Sequence, residues 1–273
     1  DVERSRGLGD VYKRQVQETA TVAATALLAD APEGALPSEV RPEIVTWEKL
    51  CEAIQASGKA YNMEMIDKAY NMANDAHKGV CRRSGEPYIC HPLAVARLVL
   101  DLGMDSESIA AALLHDVGKN SMLEIIETQH RPLTDEEFGI IRSHPNRGGQ
   151  YLSIDEDLAR YVDIARGHHK FYNGKGGYPN DFDNTVSPER FMIDIITVCD
   201  CLDAATDQYG RNYHQAKTTD EVLAEFKRDA GVRYNPDIVR FILQDSALRD
   251  TLREISGSRR LTIYYDTYKH YFM

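Results

Sequence analysis

His115 and Asp116 stand side by side at the end of an apolar run, and Lys119 follows in the same stretch, AALLHDVGK. The run has the composition of a buried helix, so these polar side chains lie at the edge of a hydrophobic interior. Burying a titratable group without a partner costs several kcal/mol. The stretch therefore predicts either a set of polar partners or a bound metal ion.

Other polar residues interrupt apolar helical stripes in the same way. Together with the first pair, five histidines and two aspartates occupy inward positions: His91, His115, His144, His168, His169, Asp116 and Asp200. One such histidine alone is most often a hydrogen-bonded core residue. Seven inward titratable groups are better explained by a dinuclear metal centre, because imidazole and carboxylate suit divalent transition metals. We therefore expect two such ions, and Fe, Mn and Zn all fit these ligands.

Length, composition and charge limit the class of protein. The chain has 273 residues, 42% of them hydrophobic, which is enough for a sizeable core. A formal net charge of −11 argues against general nucleic-acid binding, which needs a basic surface, but allows a small anionic substrate. Five cysteines without a CxxC pair predict reduced thiols and a cytoplasmic protein. No apolar run reaches membrane-spanning length.

Helical signals dominate the chain from Trp47 onward, and alternating strand patterns are absent. We therefore expect an all-α helical bundle with one long Gly-rich loop at residues 173–184. Capping residues predict four helix starts: Ser106, a capping box formed by Thr134 and Glu137, Ser187-Pro188 and Asn235-Pro236.

The two ends of the chain are predicted to lie outside the main domain. Residues 1–15 include SRGLGDVYKRQ, which resembles a translated library-adapter sequence, so we treat them as an artefact. Residues 16–46 are predicted to form a linker or loosely packed helix, residues 47–256 the main domain, and residues 257–273 a Tyr-rich helical tail. Two further alternatives stay open: an upstream sensory or signalling domain that is missing from this chain, and a homodimer.

Two stretches resemble branches of one superfamily. His115-Asp116, with His91 upstream and Asp200 downstream, resembles the HD phosphohydrolases. Residues 69–117, including RRSGEPYICHPLAVA, resemble the hydrolase domain of the RelA/SpoT (p)ppGpp enzymes. Residues from about 115 to 245 are similar to HD-GYP phosphodiesterases through HDVGK, LTDEEFGIIRSHPNRGG, HHKFYNGKGGYP and DIITVCDCLDAATDQYGRNY. The likeness implies an HD-domain helical bundle with a Gly-rich GYP loop.

The resemblance also implies a role for each ligand. One metal ion would be held by four residues: His91, His115, Asp116 and Asp200. Asp116 would bridge to a second ion, held by three histidines: His144, His168 and His169. A hydroxide between the two ions would attack the phosphorus. Beside Asp116, the second catalytic residue is Lys119, which would contact the scissile phosphate or protonate the leaving oxygen; the alternative is a solvated lysine at a helix end.

Substrate contacts are expected from several loops. In residues 174–179, Lys175 and Tyr178 are candidate substrate-binding residues, with Tyr178 stacking on a base or bonding a phosphate; the alternative is a flexible surface turn. Arg82 and Arg83 are candidates to pack against a purine, or else lie on a solvated turn. Arg211 either binds a phosphate or forms a structural ion pair.

The sequence departs from both family patterns. Lys170 follows the paired histidines where HD-GYP proteins have Glu, and Asp194 stands where they often have a phosphate-binding Arg. Pro87 replaces a Glu that could hold a third metal, which supports two metals. (p)ppGpp hydrolases carry a Glu-Asp pair shortly after the HD dipeptide, and Lys119-Asn120 replaces it here.

Three functions stay open, in this order. The first is a dinuclear-metal phosphodiesterase acting on a cyclic dinucleotide, such as cyclic di-GMP, or on a related nucleotide second messenger. The second is a (p)ppGpp 3′-pyrophosphohydrolase, disfavoured by the missing Glu-Asp pair. The third is a non-catalytic HD-fold signalling module, disfavoured by the complete ligand set.

Overall fold

The computed structural model describes residues 46–80, 87–119, 133–207 and 216–256. Within these ranges every regular element is helical, and β-type pairing is confined to two isolated bridges. The prediction of an all-α protein is therefore confirmed. None of the helices in these ranges is both long enough and apolar enough to cross a membrane.

The helices are short to medium in length and follow one another through brief turns. In chain order they are α1 (Trp47–Ala56), α2 (Met63–Ala76), α3 (Cys90–Asp101), α4 (Ser106–Leu114), α5 (Asp135–Ile141), α6 (His144–Leu152), a 3₁₀ turn (Ala159–Tyr161), α7 (Val162–Gly167), α8 (Arg190–Thr206), α9 (Thr219–Asp229), α10 (Pro236–Gln244) and α11 (Ser246–Ser256).

Helix α8 runs through the middle of the bundle. It contacts α3, α4, α7, α9 and α11, and most of its residues are buried. Helices α3 and α4 are apolar on nearly every side and pack against each other. A helix that is apolar all round belongs in the core. His91 on α3 and Asp200 on α8 are therefore buried within the bundle rather than at its surface.

Two of the predicted helix starts are confirmed. Thr134 and Glu137 form a reciprocal capping box at the start of α5, with both hydrogen bonds present. Asn235 caps α10, and Pro236 is its first residue. In both cases the cap satisfies amide groups that the first helical turn leaves without an intrahelical partner.

The other two predicted starts are wrong. Asp105, not Ser106, caps α4, because its carboxylate accepts from the amide and hydroxyl of Ser108. The N-cap of α8 is Glu189 rather than Ser187. The Ser187 hydroxyl accepts from the amide of Glu189 at 3.1 Å and donates to Asp163 Oδ2 at 2.7 Å, so Ser187 lies just before the helix.

Several predictions fall outside the described residues. These are the artefact and most of the linker at residues 1–45, the tail at residues 257–273, and the candidate substrate contacts Arg82, Arg83 and Arg211. The domain boundaries and the roles of these arginines stay predictions.

Gly118 allows the turn after α4 to lie against the start of α6. A Cβ atom at this position would overlap the carbonyl oxygen of His144 and the amide nitrogen of Gly148. Both are backbone atoms within helical structure, so neither can move aside at low cost. The glycine of HDVGK thus permits the close approach that places Asp116 beside His144.

We expect Gly118→Ala to destabilise the protein by about 1–3 kcal/mol, the usual cost of overpacking a close contact. Gly139→Ala in α5 is the matched control, because a Cβ there meets nothing within 4 Å. It should stabilise the protein by about 0.5–1 kcal/mol through helix propensity. Urea unfolding measures both changes, and equal free energies of unfolding would contradict the close approach.

Candidate metal centre

All seven predicted ligands lie together at one centre inside the bundle. They come from helices α3, α4, α6, α7 and α8 or from residues directly after them: His91, His115, Asp116, His144, His168, His169 and Asp200. All are buried except His169, whose side chain is 23% exposed. Their role as metal ligands stays a prediction.

The first group of ligands is His91, His115 and Asp200. One ligand atom from each lies within 4.8 Å of the other two. His91 Nε2 is 3.2 Å from Asp200 Oδ1, and His115 Nε2 is 3.9 Å from the same oxygen. The three side chains thus surround a volume the size of one cation.

The second group is His144, His168 and His169. One ligand atom from each of these residues also lies within 4.8 Å of the other two. The Nε2 atoms of His144 and His168 are 3.1 Å apart. Two imidazole nitrogens this close form a hydrogen bond only if one of them carries a proton. A cation between them would instead accept the lone pair of each nitrogen.

Asp116 lies between the two groups. Its Oδ2 atom is 3.4 Å from His91 Nε2 and 3.7 Å from His115 Nε2. Its Oδ1 atom is 3.2 Å from His144 Nε2 and 3.6 Å from His168 Nε2. Each carboxylate oxygen therefore faces one group, which is the arrangement of a bridging ligand.

Helix ends fix the orientation of three imidazoles. The Nδ1 atoms of His115, His144 and His168 each bond the carbonyl oxygen three residues earlier, at 2.7, 2.7 and 2.8 Å. These carbonyls belong to the last turns of α4, α5 and α7, where they have no amide partner within the helix. Because Nδ1–H donates outward, the Nε2 lone pair points to the centre, as in most metal-binding histidines.

His91 is oriented by Asp203 instead. Its Nδ1–H donates to Asp203 Oδ2 at 2.7 Å, and both side chains are buried. Asp203 is not among the ligands and partners predicted from the sequence, although its position one helical turn after Asp200 on α8 was an available signal. A carboxylate behind a ligating histidine fixes the ring and raises its basicity.

The donor set fits divalent metal. Three inward atoms are buried and have no hydrogen-bond partner in the described chain: His91 Nε2, His115 Nε2 and Asp116 Oδ1. Leaving such atoms without partners costs free energy that a bound cation would recover. Imidazole nitrogen and carboxylate oxygen are suitable donors for Fe, Mn or Zn.

Burial and local charge hold most of these groups in metal-binding form. Burial lowers the pKa of His115 to about 4 and also lowers the pKa of His144, so both rings are neutral near pH 7. Burial alone would raise the pKa of Asp116, but Lys119 and the nearby histidines outweigh it and hold that pKa well below its usual value. Metal ligands must be deprotonated, and these three already are.

His91 is the exception. Burial opposes its protonation, yet the nearby carboxylates of Asp116, Asp200 and Asp203 outweigh burial and raise its pKa to about 10. The proton compensates three carboxylates that would otherwise repel one another. A bound cation would replace that proton, because it supplies the same compensating charge.

Lys119 lies at the centre rather than in solvent. Its side chain is 6% exposed, and Nζ is 3.1 Å from Asp116 Oδ2. The same Nζ donates to the hydroxyl of Tyr88 at 2.7 Å. The alternative of a solvated helix-end lysine is therefore wrong, while its catalytic role stays a prediction.

The Gly-rich loop folds back over His169. The Tyr178 amide donates to the His169 carbonyl at 3.2 Å, and the two rings are 4.5 Å apart. Gly177 has a φ of 77° and lies against the same carbonyl, where a side chain has no room. Tyr178 is thus brought to the centre, whereas Lys175 is exposed on the loop. Both stay candidate substrate contacts.

The two departures from the HD-GYP pattern have structural partners. Lys170 is buried, and its Nζ donates to the carbonyl of Pro179 at 3.2 Å. Asp194 accepts from Arg190 at 3.1 Å and from Asn235 at 3.0 Å. Asp194 therefore joins α8 to the residue that caps α10.

Comparison with known proteins adds a family match. Residues 69–139 match the family model of the HD domain. That range contains His91, His115 and Asp116, and it ends before His144 and Asp200. The family match therefore includes most of the first group of ligands and none of the second.

Three relatives match parts of the chain. The guanosine-3′,5′-bis(diphosphate) 3′-pyrophosphohydrolase of Vibrio cholerae is 53% identical over 55 residues, 20% of this chain and 8% of that protein. The bifunctional (p)ppGpp synthase/hydrolase SpoT of Escherichia coli is 45% identical over 71 residues, 26% of this chain and 10% of SpoT. The chloroplastic protein RSH1 of Arabidopsis thaliana is 39% identical over 125 residues, 46% of this chain and 13% of RSH1.

The chain thus spans a small part of the length of each relative. The resemblance to HD-GYP phosphodiesterases stays a prediction. Residues 69–139 match the HD domain, and proteins of the RelA/SpoT type are among the chain's homologues.

Proposed function

We propose that the chain is a metal-dependent hydrolase that removes the 3′-pyrophosphate from (p)ppGpp or a closely related guanine nucleotide. The main structural support for a hydrolase activity is the Asp116 carboxylate, whose two oxygens each face one group of ligands. The substrate class is supported by the relatives, two of which are named for hydrolysis of guanosine bis(diphosphate) or (p)ppGpp. This function now ranks ahead of cyclic-dinucleotide hydrolysis.

Two divalent ions are part of the proposal. His91, His115 and Asp200 would hold one ion, His144, His168 and His169 the other, and Asp116 would contact both. Such a pair of ions activates water at neutral pH and stabilises negative charge on a phosphate. Fe, Mn and Zn all suit these ligands.

Lys119 would supply the chain's own positive charge. In the free protein its ammonium compensates Asp116 at 3.1 Å. An ammonium has three donors, so it can bond a phosphate oxygen of the substrate while it keeps its bond to Tyr88. Lys119 would then orient the phosphate, or protonate the leaving oxygen.

Contacts to the rest of the nucleotide are assigned to the loops. Tyr178, above His169, would stack on the base or bond a phosphate. The remaining candidate substrate-binding residues are Lys175, Arg82, Arg83 and Arg211.

A phosphodiesterase acting on a cyclic dinucleotide is the second candidate. It is favoured by the second group of ligands, His144, His168 and His169, which lies beyond the HD-domain match at residues 69–139. The replacement of the Glu-Asp pair of (p)ppGpp hydrolases by Lys119-Asn120 also favours this candidate. Cyclic di-GMP is the first substrate to test for this candidate.

Elemental analysis of the purified protein should find about two divalent transition-metal ions per chain. Asp116→Asn keeps the side-chain size but removes the charge that both groups share, so its metal content should fall well below that of wild type. Asp155→Asn, which removes a charge from a surface pair with Lys68, is the control and should keep full metal content. A folded, metal-free wild-type protein would support the non-catalytic signalling module instead.

A substrate panel separates the two candidate activities. We expect the metal-loaded protein to release pyrophosphate from ppGpp and to leave cyclic di-GMP, cyclic GMP-AMP and pGpG intact, as resolved by anion-exchange chromatography. Asp116→Asn should abolish turnover, and Asp155→Asn should not change it. Cleavage of a cyclic dinucleotide without release of pyrophosphate from ppGpp would reverse the order of the candidates.

A further inference from the structure

The hydroxyl of Tyr88 lies between Lys119 and Asp116. Lys119 Nζ is 2.7 Å from the hydroxyl oxygen, which is 2.8 Å from Asp116 Oδ2. An ammonium can only donate and a carboxylate can only accept hydrogen bonds. The hydroxyl must therefore accept a hydrogen bond from Lys119 and donate one to Asp116, so its proton points to the Asp116 carboxylate.

This hydrogen bond reaches one particular oxygen of Asp116. Oδ2 also faces His91 and His115, whereas Oδ1 faces the second group and has no hydrogen-bond partner in the described chain. A carboxylate rotates about its Cβ–Cγ bond unless one of its oxygens is held. The bond from Tyr88 therefore sets the rotation that gives one oxygen to each group.

Lys119 competes for the same oxygen. Its Nζ lies 3.1 Å from Oδ2, and both groups are buried. Attraction between opposite charges is stronger in a buried site than in water, so an unhindered ammonium would draw the carboxylate toward itself. The Tyr88 hydroxyl occupies one of the donors of Lys119 and directs its own proton at the carboxylate.

We propose that Tyr88 is a positioning residue of the metal centre. Its hydroxyl turns Asp116 so that both groups of ligands share the carboxylate, and it restrains the Lys119 ammonium, which lies 3.1 Å from the same carboxylate. The inference rests on the proposed function, because it requires that these groups bind divalent metal.

Tyr88→Phe tests the hydroxyl without removing the ring. The ring packs 4.9 Å from His77 and 5.9 Å from His91, centroid to centroid, and a phenylalanine keeps both contacts. Tyr161→Phe is the matched control, because it also removes a buried tyrosine hydroxyl, one without a hydrogen-bond partner in the described chain. Thermal unfolding followed by circular dichroism checks that both variants fold.

The readout is metal binding to chelator-treated protein. Each variant is dialysed to equilibrium against Mn²⁺ and, separately, Zn²⁺, and the bound metal is measured by elemental analysis. Tyr88→Phe should bind metal about 10- to 100-fold more weakly than wild type, the usual effect of losing a group that orients a ligand. Tyr161→Phe should bind as wild type does.

A double variant tests the competition with Lys119. Lys119→Met alone removes a buried positive charge and should strengthen cation binding, so it is the reference for the double variant. If the hydroxyl restrains the ammonium, Tyr88→Phe should weaken metal binding less in the Lys119→Met background than in wild type. A general loss of packing at position 88 would weaken metal binding equally in both backgrounds.

The outcomes separate this inference from the proposed function. Equal metal affinity in wild type and Tyr88→Phe, or an equal loss from Tyr88→Phe with and without Lys119, overturns the role of Tyr88 and leaves the hydrolase proposal standing. Wild-type protein that binds neither Mn²⁺ nor Zn²⁺ overturns both.

Discussion

Burial of the ionised Asp116 carboxylate constrains the whole bundle, because a charge inside a protein must be compensated on every side. Its two oxygens face imidazoles from different helices, and one of them also accepts from Tyr88 and lies beside the ammonium of Lys119. These partners lie in several different helices or in the turns beside them. The packing of α3, α4 and α7 against α8, and of α6 against α7, is thus tied to the requirements of a single side chain.

Backbone carbonyl groups at helix ends, rather than other side chains, orient three of the histidine ligands. The last carbonyls of a helix lack amide partners, and here they accept from the Nδ1 atoms of His115, His144 and His168. One bond therefore satisfies a carbonyl and orients an imidazole. His91, inside the first turn of α3, has no such carbonyl available and uses the Asp203 carboxylate. Position relative to a helix end explains this difference between the ligands.

The centre combines features that point to two kinds of substrate. The HD-domain match includes His91, His115 and Asp116, and relatives named for (p)ppGpp hydrolysis support a nucleotide carrying a 3′-pyrophosphate. The second group of ligands and the loop that carries Tyr178 lie beyond that match. Both proposed reactions transfer a phosphorus-containing group to water, so the same ligands would serve either substrate. The loops around the centre, rather than the ligands, would then distinguish between the substrates.

The sequence by itself determined the helical class and the inward-facing polar residues, because both follow from local periodicity and composition. It placed the start of α4 at Ser106 and that of α8 at Ser187, whereas the N-caps in the structure are Asp105 and Glu189. Only the tertiary structure decided which side chains meet. Tyr88 bonds Asp116 across 28 positions and Asp203 bonds His91 across 112, and no local pattern encodes such contacts because packing between helices creates them.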